Sequence, residues 1–147
     1  MQYFYFDTSA LAKRYSQEKV SNAVNKLIET KDNIIIIGNI AITELYAALS
    51  KKLRTREITL QDLQYAIYLF EADIAKGTYK FLEIDNQTIK NSKMLILSHP
   101  NLRAYDSIHL ALALELLKLN PTVVTSDSIL LETCKLENLK VIDPSKT

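Results

Sequence analysis

Ile34-Ile35-Ile36-Ile37 is a run of four β-branched residues with no polar member to mark a solvent face. Such side chains are stiff and suit a pleated strand. Neighbours along a strand point to opposite faces, so an unbroken apolar run describes a strand covered on both sides. A strand of that kind belongs in a sheet between two helical layers. Gly38-Asn39 breaks the run.

The rest of the chain repeats the logic. Short apolar runs at Tyr3-Phe4-Tyr5-Phe6, Tyr79 to Ile84, Thr122 to Thr125 and Lys140 to Ile142 read as further strands. Helical spacing fills the intervals: Thr8 to Tyr15, Val20 to Thr30, Ile40 to Leu53, Asn86 to Ser98 (carrying Ile89, Leu95, Ile96 and Leu97 as its apolar residues), Arg103 to Leu119, and a helix opened by Ser126-Asp127 and running to Leu136. Thr59-Leu60-Gln61-Asp62 has a capping-box form and starts another helix, with Leu63, Ala66, Ile67, Phe70 and Ile74 on its stripe, ended by Lys76-Gly77. The Arg103 to Leu119 helix is apolar almost all round, which predicts burial on most sides. Strand and helix alternate throughout. That predicts an α/β fold with a parallel sheet and helices on both faces, a single domain over residues 1–147.

Net charge is +1, which excludes gripping nucleic acid by overall charge and leaves only local patches. Cys134 is the one cysteine, so no disulfide framework exists and a reducing compartment fits. No basic flank precedes the first apolar run, and no signal peptide is expected. The longest apolar stretch, Ile34 to Ile42, is interrupted by Gly38 and Asn39 and falls far short of a membrane span. The expectation is a soluble, cytoplasmic protein with no membrane partner.

Four acids fall at ends or starts of these elements. Asp7 ends the first strand, Glu44 lies in the first turns of the helix after the isoleucines, Asp106 opens the buried helix, and Asp127 follows Val123-Val124. Strand C-termini and the helix N-termini that follow share one edge of a doubly wound sheet, where ligands bind in such folds. Each acid has an ordinary reading of its own: Asp127 as an N-cap, Glu44 as an exposed helix acid, Asp106 as a dipole partner, Asp7 as a turn former. Together at one edge they form an oxygen-only set suited to Mg²⁺ or Mn²⁺. Such an ion lowers the pKa of bound water and stabilises charge on a phosphoryl oxygen. Metal-activated water attacking a phosphodiester is the reaction this set suggests.

The segments Tyr5-Phe6-Asp7-Thr8-Ser9-Ala10-Leu11, Ile42-Thr43-Glu44-Leu45, Leu102 to Ala111 (with Tyr105-Asp106-Ser107-Ile108-His109) and Thr125-Ser126-Asp127 resemble the four acidic motifs of PIN domains, in order and over essentially the whole chain. They are most similar to the PIN-domain ribonuclease toxins of bacterial and archaeal toxin–antitoxin pairs. The resemblance implies a PIN-like three-layer α/β/α fold with a five-stranded parallel sheet. It implies Mg²⁺- or Mn²⁺-dependent cleavage of an RNA substrate, a homodimer, and a cognate antitoxin that blocks the site. By position, Asp7, Glu44, Asp106 and Asp127 match the family's catalytic, metal-binding acids, and Thr8 or Ser9 its hydroxyl near the first Asp. Asn39 stands where Ser or Thr is common in the family.

His109 lies one helical turn after Asp106, where it either orients a ligand or substrate phosphate or packs, hydrogen-bonded, between helices. Lys13 and Arg103 are the basic residues nearest in sequence to the acids and the first candidates for RNA phosphates, with Lys51, Lys52, Arg54 and Arg56 a denser cluster. Tyr65, Tyr68 and Tyr79 suit base stacking or packing. Neither His99 nor His109 has a partner at zinc spacing. A phosphatase of the haloacid-dehalogenase type needs an Asp where Ser9 stands, a receiver domain needs paired acids near the first strand, and no Gly-rich phosphate loop is present. The remaining alternative is a catalytically inactive PIN-like module that binds RNA or protein.

Overall fold

The structure is a computed structural model and describes residues 1–16 and 21–146. Five parallel strands form one sheet: β1 (Gln2–Phe6), β2 (Asn33–Gly38), β3 (Tyr79–Leu82), β4 (Thr122–Val124) and β5 (Lys140–Ile142), in the order β3-β2-β1-β4-β5. The chain builds from β1 outward to β3, then returns to build β4 and β5 on the other side. The order therefore reverses between β1 and β4, which opens a crevice at their carboxyl ends.

Helices α1 (Thr8–Tyr15), α2 (Ser21–Glu29), α3 (Ile40–Arg54) and α4 (Leu60–Ala75) cover one face. There Phe4, Phe6, Ile35 and Ile37 pack with Leu11, Val24, Leu45 and Phe70. Helices α5 (Asn86–Ser98), α6 (Ala104–Glu115) and α7 (Ser128–Leu136) cover the other, where Tyr5, Ile36 and Val123 pack with Leu95, Leu110, Leu112, Leu130 and Cys134. The isoleucines of β2 divide between the two cores, as the unbroken run requires. This is the three-layer α/β/α sandwich with a five-stranded parallel sheet. Among the described residues no helix is long and apolar enough to cross a membrane.

Several boundaries differ from the sequence reading. Val20, the expected start of the second helix, lies outside the described residues. The buried helix stops at Glu115 rather than Leu119, tightens into a 3₁₀ turn at Leu117–Leu119, and ends on Asn120 in the left-handed region at φ 51°. Asn tolerates that conformation, and Pro121 follows. On α5 the inward face is Thr88, Ser92 and Leu95, whereas Ile89 and Leu97 are exposed. Residue size explains this: Thr88 and Ser92 are small, and Thr88 Oγ1 donates to Glu115 Oε1 of α6 at 2.7 Å. Asp127 is the N-cap of α7, as its position at the opening of that helix suggested.

Candidate active site

Asp7 follows the last residue of β1 and is the N-cap of α1, so one carboxylate closes a strand and opens a helix. It is 3% exposed. Oδ1 accepts from Ala10 N at 3.0 Å, Ser9 Oγ donates to both oxygens at 2.8 and 2.9 Å, and Thr125 Oγ1 donates to Oδ2 at 2.7 Å. Burial pushes the Asp7 pKa up, against the opposing pull of His109 and these hydrogen bonds.

The end of β4 is tied to the same group. Asp7 N donates to Val124 O at 3.2 Å across the crevice. Thr125, fully buried, accepts from Asp127 N at 3.0 Å while donating to Asp7. Ser9 Oγ accepts from Ser126 N at 3.0 Å. Asp127 caps α7 through Leu130 N at 2.9 Å. The two hydroxyls thus staple the Thr125-Ser126-Asp127 turn to Asp7 and bring Asp127 to the edge that Asp7 occupies.

Glu44 arrives from the second turn of α3. Its Oε1 accepts from Thr8 Oγ1 at 2.8 Å and lies 2.7 Å from His109 Nε2. His109 is 2% exposed, and its Nδ1 is 2.7 Å from the hydroxyl of Tyr5, which has no exposure at all. Burial opposes the charged form of His109, yet the Glu44 contact, reinforced by Asp7 and Asp106, outweighs it and raises the pKa. Burial likewise opposes the Glu44 carboxylate, and His109 and Thr8 overcome it, so that pKa is lowered. Both shifts favour an ion pair.

Asp106, in the first turn of α6, is half-buried and accepts no side-chain hydrogen bond among the described residues. Its pKa is pushed up to about 6, first by burial, then by the charges of Asp127 and Asp7, with His109 and Arg103 pulling the other way. Asp106 thus lies within electrostatic reach of both Asp7 and Asp127, and His109 and Arg103 offset only part of their effect. Among the described residues, no three His, Cys, Asp or Glu side chains gather tightly enough to enclose a cation. Mg²⁺ keeps several waters and takes one or two carboxylates directly, so an open, oxygen-only set of this kind fits it.

The other expected site residues fall into two groups. Thr8, Ser9 and His109 are spent inside the protein, on Glu44, Asp7 and the Tyr5–Glu44 pair. Arg103 occupies the N-cap position of α6, its charge acting on Asp106, and is exposed; Lys13 stands in the last turn of α1, where its charge acts on Asp143. Arg14 is directed away from the acids: Nε donates to Asp73 Oδ2 at 2.8 Å and Nη1 to Asn25 Oδ1 at 2.9 Å, binding α4 and α2 to α1. Tyr79 is buried in the same network, whereas Tyr65 and Tyr68 are exposed on α4. Sequence reasoning missed Tyr5 and Thr125 as parts of the site. Both sit in apolar strand patterns, and only their hydroxyls gave a signal.

A family model for the PIN domain matches residues 4–136. Among solved structures, FitAcB from Neisseria gonorrhoeae superposes with a TM-score of 0.68 at 15% identity, over 98% of this chain and 99% of that one. Mycobacterium tuberculosis VapC20, a sarcin–ricin loop cleaving toxin, gives 0.63 at 14% identity, over 86% and 92%. A toxin–antitoxin complex from Klebsiella pneumoniae gives 0.60 at 17% identity, over 95% and 96%. No curated protein matches the chain in sequence.

Proposed function

The chain belongs to the PIN-domain family, and from that premise we propose that it is a Mg²⁺- or Mn²⁺-dependent endoribonuclease, the toxin of a toxin–antitoxin pair. One observation carries the proposal: among the described residues Asp106 has no hydrogen-bond partner for its carboxylate, and it stands beside Asp7 and Asp127 with its carboxyl pushed to about 6 by burial and their charge. Carboxylates held together against repulsion are costly unless a cation joins them. Asp7, Asp106, Asp127 and, through its Oε2, Glu44 would hold the ion, one or two of them directly and the others through its waters. When bound, the ion supplies a water of lowered pKa and offsets charge on the scissile phosphate.

The chain's own residues do the rest. Asp7 is fixed by its cap to Ala10 and by Ser9 and Thr125, so its oxygens are preset. Arg103, exposed beside Asp106, contacts an RNA phosphate, and Lys13 extends that contact along the backbone. Thr8, Ser9 and His109 hold the acids. In the hydrolysis, a water oxygen bonds to phosphorus, one P–O ester bond breaks, and the departing oxygen takes up a proton. The sarcin–ricin loop cleaving toxin and the toxin–antitoxin complex among the structural matches support an RNA substrate and an antitoxin partner. The protein acts in the cytoplasm as a homodimer until its antitoxin covers the acidic edge.

The test is cleavage of a mixed RNA pool by purified, antitoxin-free protein with Mg²⁺ or Mn²⁺. Cleavage is expected to vanish with EDTA and in Asp7→Asn. Cleavage that survives either control overturns the mechanism. Reproducible inactivity with retained RNA or protein binding favours the non-cleaving module instead.

A further inference from the structure

Tyr5, His109, Glu44 and Thr8 form an unbroken line of contacts that joins β1, α6, α3 and α1. Tyr5 Oη lies 2.7 Å from His109 Nδ1, His109 Nε2 lies 2.7 Å from Glu44 Oε1, and Thr8 Oγ1 donates to that same oxygen at 2.8 Å. The ring and the phenol are almost wholly shielded from solvent, at 2% and 0% exposure. They also meet edge to face, with centroids 5.9 Å apart. Neither ring nitrogen is left to receive a substrate. Glu44 is held by one oxygen, and its Oε2 has no protein partner among the described residues.

The backbone makes room for this line. A methyl group on Gly38 would stand 3.2 Å from Tyr5 Oη and 2.6 Å from Leu112 Cδ1. Gly38, which ends β2, thus leaves room for Leu112 Cδ1 and, more narrowly, for the Tyr5 hydroxyl.

We propose that His109 is a positioning residue of the acidic site: clamped by Tyr5, it holds Glu44 by Oε1 so that Oε2 alone is presented to a divalent cation. This role rests on the metal-binding reading of the acidic edge. Outer-shell partners of this kind orient ligands, and their loss costs about 10- to 100-fold in metal affinity or activity. Thr8 alone cannot replace the clamp, because a single hydroxyl leaves the carboxylate free to rotate about that bond.

The experiment is an EPR titration of Mn²⁺ into the metal-free full chain, with steady-state RNA cleavage alongside. In His109→Leu, Mn²⁺ affinity is expected to fall about 10-fold or more, with kcat reduced and KM for RNA unchanged. In His109→Gln, whose amide donor reaches where Nε2 stands but which lacks the Nδ1 contact to Tyr5, affinity and kcat are expected to recover most of the loss seen in His109→Leu. Tyr5→Phe keeps the ring volume and removes only the hydroxyl; it is expected to fall between the two. If His109→Leu fails to fold, Tyr5→Phe decides alone, and unchanged Mn²⁺ affinity there overturns the role. Wild-type affinity in His109→Leu overturns it, as does a loss in His109→Gln as large as in His109→Leu, or a wild-type chain that binds no Mn²⁺. A wild-type chain that binds Mn²⁺ but leaves RNA intact removes the nuclease reading only, since the affinity series still reports on His109. Cleavage by wild type with unchanged affinity and kcat in His109→Leu removes the positioning role only.

Discussion

Asp106→Asn should make the metal-free protein more stable at neutral pH. The mutation keeps the shape and removes a charge that burial, Asp127 and Asp7 all oppose, holding the carboxyl at about 6. The usual value is 3.8. At about 1.4 kcal/mol per pH unit, a rise of that size in a fully buried group corresponds to about 3 kcal/mol. Asp106 is half-exposed, so solvent screening reduces the figure to about 1 to 1.5 kcal/mol. The sign follows from linkage. A raised pKa means the folded state binds the proton more tightly, so the wild type loses stability as pH rises from about 4 through about 6. Below that window Asp106 is protonated in both states and the mutant has no advantage. Urea unfolding in EDTA at pH 4 and pH 8 measures this directly. At pH 8 the variant should gain about 1 to 1.5 kcal/mol, about 3 to 5 °C in a thermal scan for a chain of this size. Millimolar Mn²⁺ should then stabilise the wild type and not the variant. Equal stabilities at pH 8, or a gain that persists undiminished at pH 4, would refute the claim that burial, Asp127 and Asp7 oppose the charge of Asp106 in the fold.

Thr125→Val removes the hydroxyl that donates to Asp7 and accepts from Asp127 N; buried Asp7 loses one of its donors and the half-buried Asp127 N–H its acceptor, and chemical denaturation should show a loss of about 1 to 3 kcal/mol. Asp73→Ala leaves Arg14 and the Tyr15 hydroxyl facing an empty position in a mostly buried network, at a cost of about 3 kcal/mol by the same assay. Burial opposes the Asp73 carboxylate, but Arg14 and Tyr15 hold its pKa below the usual value, so this cost is full above about pH 4 and shrinks as pH falls further. Gly38→Ala should cost about 1 to 3 kcal/mol in thermal unfolding, because the new methyl meets Leu112 Cδ1 and the Tyr5 hydroxyl.

Local periodicity made most of the fold legible. The four isoleucines called for two cores, and β2 has two. Thr59 and Asp62 form the reciprocal capping box that their spacing announced. Gly77, at φ 76°, ends the turn after α4 as a helix-terminal glycine should. The errors came where size and pairing override polarity. Thr88 and Ser92 took the inward face of α5 from Ile89 and Leu97, because a close helix contact accepts small side chains and a partner for each hydroxyl.

The acidic edge divides in the same way. The order of elements alone put Asp7, Glu44, Asp106 and Asp127 at strand ends or helix starts, since a parallel sheet with right-handed crossovers leaves little choice. Their division of labour was not written in any local stretch. Asp7 meets Thr125 across 118 residues, Tyr5 meets His109 across 104, and His109 meets Glu44 across 65. Such contacts exist only once β1 lies between β2 and β4 and the helices close over both faces. Periodicity reports which face of an element is apolar. It carries nothing about which polar side chain on another element will stand 2.7 Å away, and it is that pairing which, among the described residues, leaves Asp106 without a partner and Glu44 held by one oxygen.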